Sequence, residues 1–157
     1  MGHVKGVRSE LKLLKYHCAK GVFKISLRNH VLIKKGFSFN LVNGSLTHLN
    51  INGSEQVHLT KLDTKILEVT INGSGRTTAV GKVESLHVSL NGAGQVNAST
   101  LDAHKGHIIV NGSGLVKVKL SDRLKARVNG AGRIEYVGKP KTLETDVDGS
   151  GAILSVQ

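Results

Sequence analysis

The sequence predicts an all-β protein: a single-stranded parallel β-helix (β-solenoid) with about 19 residues per coil. Three observations predict it. The first is a four-residue phrase written six times: Asn52-Gly53-Ser54-Glu55, Asn72-Gly73-Ser74-Gly75, Asn91-Gly92-Ala93-Gly94, Asn111-Gly112-Ser113-Gly114, Asn129-Gly130-Ala131-Gly132 and Asp148-Gly149-Ser150-Gly151. Successive copies start 20, 19, 20, 18 and 19 residues apart, the mark of a repeat architecture. The second is alternation. Leu67, Val69 and Ile71 precede one turn and Leu86, Val88 and Leu90 the next, with polar residues between, as in strands with one buried face. The third is the residue just before each turn, which is always aliphatic: Ile51, Ile71, Leu90, Val110, Val128 and Val147.

A unit this short cannot bury its own apolar face, but a stack of units can. Asn-Gly is also a strong hairpin signal, so an antiparallel sandwich or barrel is the competing architecture. The repeated turn, the constant phase and the aliphatic position favour coils, with equivalent residues about 4.8 Å apart. In such coils the first glycine takes φ > 0 and the second permits close approach. The turn asparagines bond to local backbone and to their neighbours above and below. Glu55 replaces the second glycine in the first copy, which predicts a looser corner there. Asp148 keeps the turn chemistry and adds a charge.

Residues 1–44 read as divergent, basic N-terminal coils or a cap, and 45–157 as regular repeats of the same domain. Alternation at Phe23, Ile25 and Leu27, at Val31 and Ile33, and at Phe37, Phe39 and Leu41 predicts further strands, with turns at Arg28-Asn29-His30 and Asn43-Gly44. All three phenylalanines lie in this region, where a wider first coil or an end cap needs bulk. Leu11, Leu14 and Cys18 share a face at helical spacing, which predicts a short amphipathic helix over Ser9–Ala19, capping the stack or forming a disordered lead.

Composition excludes several classes. At 157 residues the chain is about one domain. A 3% aromatic content without Trp fits a narrow aliphatic core better than an aromatic-lined substrate cleft. The single cysteine rules out an intrachain disulfide and a multi-cysteine zinc site. No apolar run reaches the roughly 18 residues of a transmembrane segment. Leu11–Ala19 is too short and too interrupted by Lys12, Lys15 and His17 for a secretion leader, so the cytoplasm stays open. The net charge of +11 is uneven: residues 1–50 carry +8 and the remainder +3. That imbalance marks either a solubilising face or an anionic partner such as a membrane surface, a cell-wall polymer or nucleic acid.

In the coil register, His48, Glu68, His87, His107, Lys125 and Glu144 form one outward column. Glu68, His87 and His107 are therefore surface-site candidates, although a structural zinc site normally has four ligands. The next column, Asn50, Thr70, Ser89, Ile109, Arg127 and Asp146, is polar and mixed, without the Thr ladder of an ice-binding face. Asp63, Asp102 and Asp122 occupy the return segments at irregular spacing and do not form the paired carboxylates of a glycosidase. The glycine phrases are followed by β-alternation, not by the helix that a phosphate loop requires. Nucleic acid is disfavoured because no recognition motif accompanies the charge. Five Asn-x-Ser sequons, at Asn43, Asn52, Asn72, Asn97 and Asn111, are explained mainly by the turns. No catalytic residue, metal ligand set or cofactor is assigned, and the chain does not read as an enzyme.

The segments Leu86-His-Val-Ser-Leu-Asn-Gly-Ala-Gly-Gln-Val96 and Leu124-Lys-Ala-Arg-Val-Asn-Gly-Ala-Gly-Arg-Ile134 resemble the bacterial putative auto-transporter adhesin, head GIN domain family. So do the step Tyr136-Val-Gly-Lys-Pro140 and the closing Gly149-Ser-Gly151. The resemblance covers about residues 45–157. It implies a right-handed β-helix, a location in the periplasm or at the cell surface, and a non-enzymatic, adhesin-like binding module. The partners implied are an anionic cell-envelope polymer, a glycan or a protein, with self-association open. Bactofilins share the architecture, so a self-assembling structural protein is the alternative. A carbohydrate-active enzyme on a β-helix is the second alternative.

Overall fold

The computed structural model describes residues 2–5, 14–27, 38–42 and 46–157. Among the described residues the alternating segments become twelve strands: β1 (Gly2–Lys5), β2 (Leu14–Ala19), β3 (Val22–Leu27), β4 (Ser38–Val42), β5 (His48–Gly53), β6 (Gln56–Gly73), β7 (Arg76–Gly92), β8 (Gln95–Gly112), β9 (Leu115–Gly130), β10 (Arg133–Val137), β11 (Thr142–Asp148) and β12 (Ala152–Ser155). From β5 onward every pairing is parallel. Each coil lies in register with the next: His48 with Glu68, His87 with His107, and Asn72 with Asn91. This is the stacked solenoid, not the antiparallel sandwich.

Each coil has a pre-turn flank, a corner at the glycine phrase, a post-turn flank and a return. The long strands β6 to β9 run through return and pre-turn flank, paired continuously along the pre-turn flank and with breaks in the returns. The returns are the irregular part, with register shifts between Leu59 and Leu62, Thr78 and Val80, and Ala98 and Asp102. Lys61 takes a left-handed φ of 56° at the first of these.

The core is a bundle of aliphatic columns. Ile51, Ile71, Leu90, Val110 and Val128 form one, and all five are fully buried. Val147, next in that column on the last coil, is 42% exposed because no described coil covers it. Columns compensate across coils. Gly106 leaves a gap in the column of Leu86 and Leu124, and a Cβ built there would lie 2.9 Å from the methyls of Leu120, which fill the space. Such interdigitation gives protein interiors their crystal-like density.

The corner at Glu55 departs from expectation. It is not loose: the amide of Arg76 bonds the Glu55 carbonyl at 2.9 Å, as that of Gln95 bonds Gly75. The Glu55 side chain is only 1% exposed, and its carboxylate oxygens sit 2.8 Å from where a Cβ on Gly53 would lie. Among the described residues, its Oε2 and the buried Thr77 Oγ1 have no hydrogen-bond partner. Desolvation raises the Glu55 pKa, and a bond from its own amide opposes this.

The start of the chain also differs. Residues 14–19 form strand β2 in place of the expected helix, and residues 9–13 lie outside the described residues. β2 pairs antiparallel with β3 through Lys20 and Gly21, whose φ values of 50° and 77° suit a tight hairpin turn. Leu14, Tyr16 and Cys18 alternate with Lys15 and His17, so period two describes this stretch as well as helical spacing does. β1 pairs antiparallel with β4. The β3-to-β5 step, Val22 to His48, is 26 residues, against 20 from His48 to Glu68. The first coil is therefore longer, and Phe23 is buried within it. The expected strand at Val31 and Ile33, and the turns at residues 28–30 and 43–44, lie outside the described residues.

Candidate functional site

The six glycine corners come together as one edge of the solenoid. Their asparagines form a ladder in which each Nδ2 donates to the Oδ1 of the coil before it. Asn72 donates to Asn52 at 2.9 Å, Asn91 to Asn72 at 2.9 Å, Asn111 to Asn91 at 2.7 Å and Asn129 to Asn111 at 2.6 Å. Asp148 stands next in register but has no N–H with which to continue the pattern. Arg127 ends the ladder instead: its Nε donates to Asn129 Oδ1 at 3.1 Å and lies 3.3 Å from Asp146.

The corner amides are engaged as well. Those of Ser74, Ala93, Ser113, Ala131 and Gly151 each donate to a glycine carbonyl one coil back, at 2.9–3.1 Å. Amides already bonded to carbonyls are not free to cradle a phosphate. The leading glycines Gly53, Gly73, Gly92, Gly112, Gly130 and Gly149 all have positive φ. The second glycines Gly75, Gly94, Gly114, Gly132 and Gly151 sit where a Cβ would crowd carbonyls or core side chains. These residues build the edge, and ligand chemistry must lie on the flanks.

On the pre-turn flank the outward column resolves into pairs. His48 Nε2 lies 3.4 Å from Glu68 Oε2, and Lys125 lies 3.5 Å from Glu144. The rings of His87 and His107 meet edge to face with centroids 5.8 Å apart. Desolvation, then His87 and then Lys125, holds the His107 pKa below its usual value. Of the three surface-site candidates, His87 and His107 are thus brought together. Glu68 lies one coil away and engages His48. Among the described residues, no group of three or more His, Cys, Asp or Glu is placed to hold a metal ion.

The post-turn flank is built by the same register, and sequence reasoning passed over it. One outward column runs Gln56, Arg76, Gln95, Leu115, Arg133, and the next runs His58, Thr78, Asn97, Lys117, Glu135. Its one acid, Glu135, lies 3.4 Å from Lys117 and 3.8 Å from Arg133. The face is therefore basic and rich in amides. The signal was available: each of these residues follows a glycine phrase at constant distance.

The returns carry a groove of about 590 Å³ lined by Asp63, Lys65, Lys82, Glu84, Asp102 and His104. A second of about 410 Å³ is lined by His104, Lys119, Ser121 and Lys139. One ion pair lies within them and another beside them. Lys119 bonds Asp102 at 2.7 Å and is the main cause holding its pKa below the usual carboxylate value. Asp122 lies 3.3 Å from Lys141. Ser121 Oγ meets His104 Nδ1 at 3.3 Å, and the described hydrogen bonds give this pair no third member. No helix among the described residues is long and apolar enough to cross a membrane.

A family model described as putative auto-transporter adhesin, head GIN domain, matches residues 23–140. It begins upstream of the resemblance at 45–157 and ends before the last glycine phrase. Among solved structures, the crystal structure of a putative adhesin from Bacteroides fragilis is similar. The two chains are 17% identical with a TM-score of 0.62, and the match covers 99% of this chain and 82% of that one, a likeness of fold. None of the curated proteins matches.

Proposed function

This chain belongs to the putative auto-transporter adhesin, head GIN domain family, and on that premise we propose that its post-turn flank binds an anionic glycan or envelope polymer. Family membership makes the chain an adhesin-like module and not an enzyme. An adhesin domain works outside the cytoplasm, and we place this one in the periplasm or at the cell surface. The observation that carries the ligand class is the post-turn flank itself. Arg76, Lys117 and Arg133 face outward with Gln56, Gln95 and Asn97 between them, and Glu135 is the only acid in their columns. Guanidinium forks recognise carboxylate and phosphate groups in a planar, bidentate way. Side-chain amides offer paired donors and acceptors to hydroxyls. A flat repeated face presents them at the coil spacing of about 4.8 Å, suited to an extended polymer.

The test is retention on immobilised dextran sulfate against neutral dextran, for the chain and for Arg76→Ala/Arg133→Ala. The expected result is retention on the anionic polymer alone, weakened by salt and reduced about tenfold in the variant. Equal retention of chain and variant removes the assignment to this flank. No retention on the anionic polymer removes the ligand class.

A further inference from the structure

The two ends of the solenoid are complementary, and we propose that the C-terminal end binds the N-terminal end of a second copy of this chain, head to tail. Each end presents one strand edge per flank. At the C-terminal end, β11 pairs only with β9 and β12 only with β10 among the described residues. At the N-terminal end, among the described residues, β2 pairs only with β3 and β1 only with β4. On the pre-turn flank, β11 has seven residues and β2 six. On the post-turn flank, β12 and β1 have four each. A copy stacked in the same orientation therefore sets β2 against β11 and β1 against β12, flank upon flank. Because β2 runs against β3, the new junction is antiparallel, the slightly more stable pairing.

Charge and apolar area agree with the match. Residues 142–157 contain three acids and no Lys or Arg, whereas residues 1–50 carry +8. Glu144, Asp146 and Asp148 alternate along β11, all exposed; Glu144 and Asp146 also meet Lys125 and Arg127 of the coil before, while Asp148 has no ion pair among the described residues. Lys15 and His17 alternate along β2, with His17 exposed and in register with the exposed Lys24. The last coil also leaves Leu143 47% and Val147 42% exposed, whose equivalents one coil back, Leu124 and Val128, are fully buried. An unpaired edge with exposed apolar residues is a template for another chain. The Asn ladder gives the same polarity. Every amide donates toward the N-terminal end, so Asp148 closes the opposite end with acceptors alone.

The experiment is sedimentation velocity on the full chain over a concentration series at low and high salt. A C-end variant, Leu143→Lys/Val147→Lys, and an N-end variant, Lys15→Glu/His17→Glu, are run alone and mixed. The expected result is concentration-dependent association that salt weakens. Each variant alone associates about tenfold more weakly or not at all, and the mixture forms a dimer through the one intact pair of ends. A chain monomeric at every concentration overturns the proposal, as does association that salt leaves unchanged. An N-end variant that self-associates as tightly as the parent chain overturns head-to-tail order in favour of two C-terminal ends meeting. Should a variant fail to fold, as circular dichroism would show, the salt and concentration series on the parent chain still decides. The proposal does not depend on the glycan reading of the post-turn flank.

Discussion

Glu55 is the residue at which the repeat and the physics disagree most. Other coils place glycine there, and this one buries a carboxyl with an unpartnered oxygen. Its folded pKa is raised above the ordinary value of 4.5 by desolvation. Between the unfolded and folded values the native state holds more protons, so stability falls as pH rises through that window. Below it the group is neutral in both states and costs nothing through charge; above it the full penalty applies. Glu55→Gln should therefore raise stability at neutral pH by about 1–3 kcal/mol, with the gain shrinking as pH falls toward 4.5. Urea unfolding at pH values on either side of the window checks this, and an equal difference at both would remove the explanation. Glu55 was visible in the sequence as the odd member of its column. Its burial was not, because spacing alone does not say whether a long side chain turns outward or packs beneath the corner.

At the scale of the element, the corner is the part most fully legible beforehand. A positive φ and a close backbone approach are local demands, and glycine meets both. Gly73 has φ +129°, and a Cβ there would stand 2.5 Å from the Gly53 carbonyl, which already accepts the Ser74 amide. Gly73→Ala should cost about 1–3 kcal/mol, read as a lower urea midpoint with an unchanged slope. A loss below half a kcal/mol, on the order of an ordinary surface change, would show that the corner relaxes freely. The hairpin of β2 and β3 was less legible. Leu11, Leu14 and Cys18 satisfy a helical period while Leu14, Tyr16 and Cys18 satisfy a strand period, and only the Lys20-Gly21 turn decides between them. The returns resisted prediction for another reason. Asp63, Lys82 and Asp102 fall in one column, but the shift between Ala98 and Asp102 sets Lys119, not Asp122, opposite Asp102, so a fixed spacing does not carry the column on.

For the whole molecule, period and phase were enough to foresee a parallel stack, because each coil repeats the demands of its neighbour. The functional surface followed less directly. The outward columns before the turns could be aligned from spacing, and the basic columns after them obey the same spacing. Which side chains pair with one another, as His48 does with Glu68 and Arg127 with Asp146, depends on rotamers that no period encodes.

The Asn ladder and the strand hydrogen bonds join each coil to the next, while strands β1 and β2 lie at one end of the stack and β12 lies at the other. A load pulling β2 away from β12 therefore passes through the coil interfaces in series, and the weakest interface yields before its neighbours. Repeat arrays held by nearest-neighbour contacts come apart unit by unit. Released in this way, a coil of about 19 residues pays out about 65 Å of extended chain. Single-molecule extension from residues flanking the two ends should show a ladder of steps near that length, and one all-or-none rupture would contradict it. A module that lengthens by whole coils would keep its tether intact while spreading a sudden pull over distance, a shock absorber built from the period that first defined the fold.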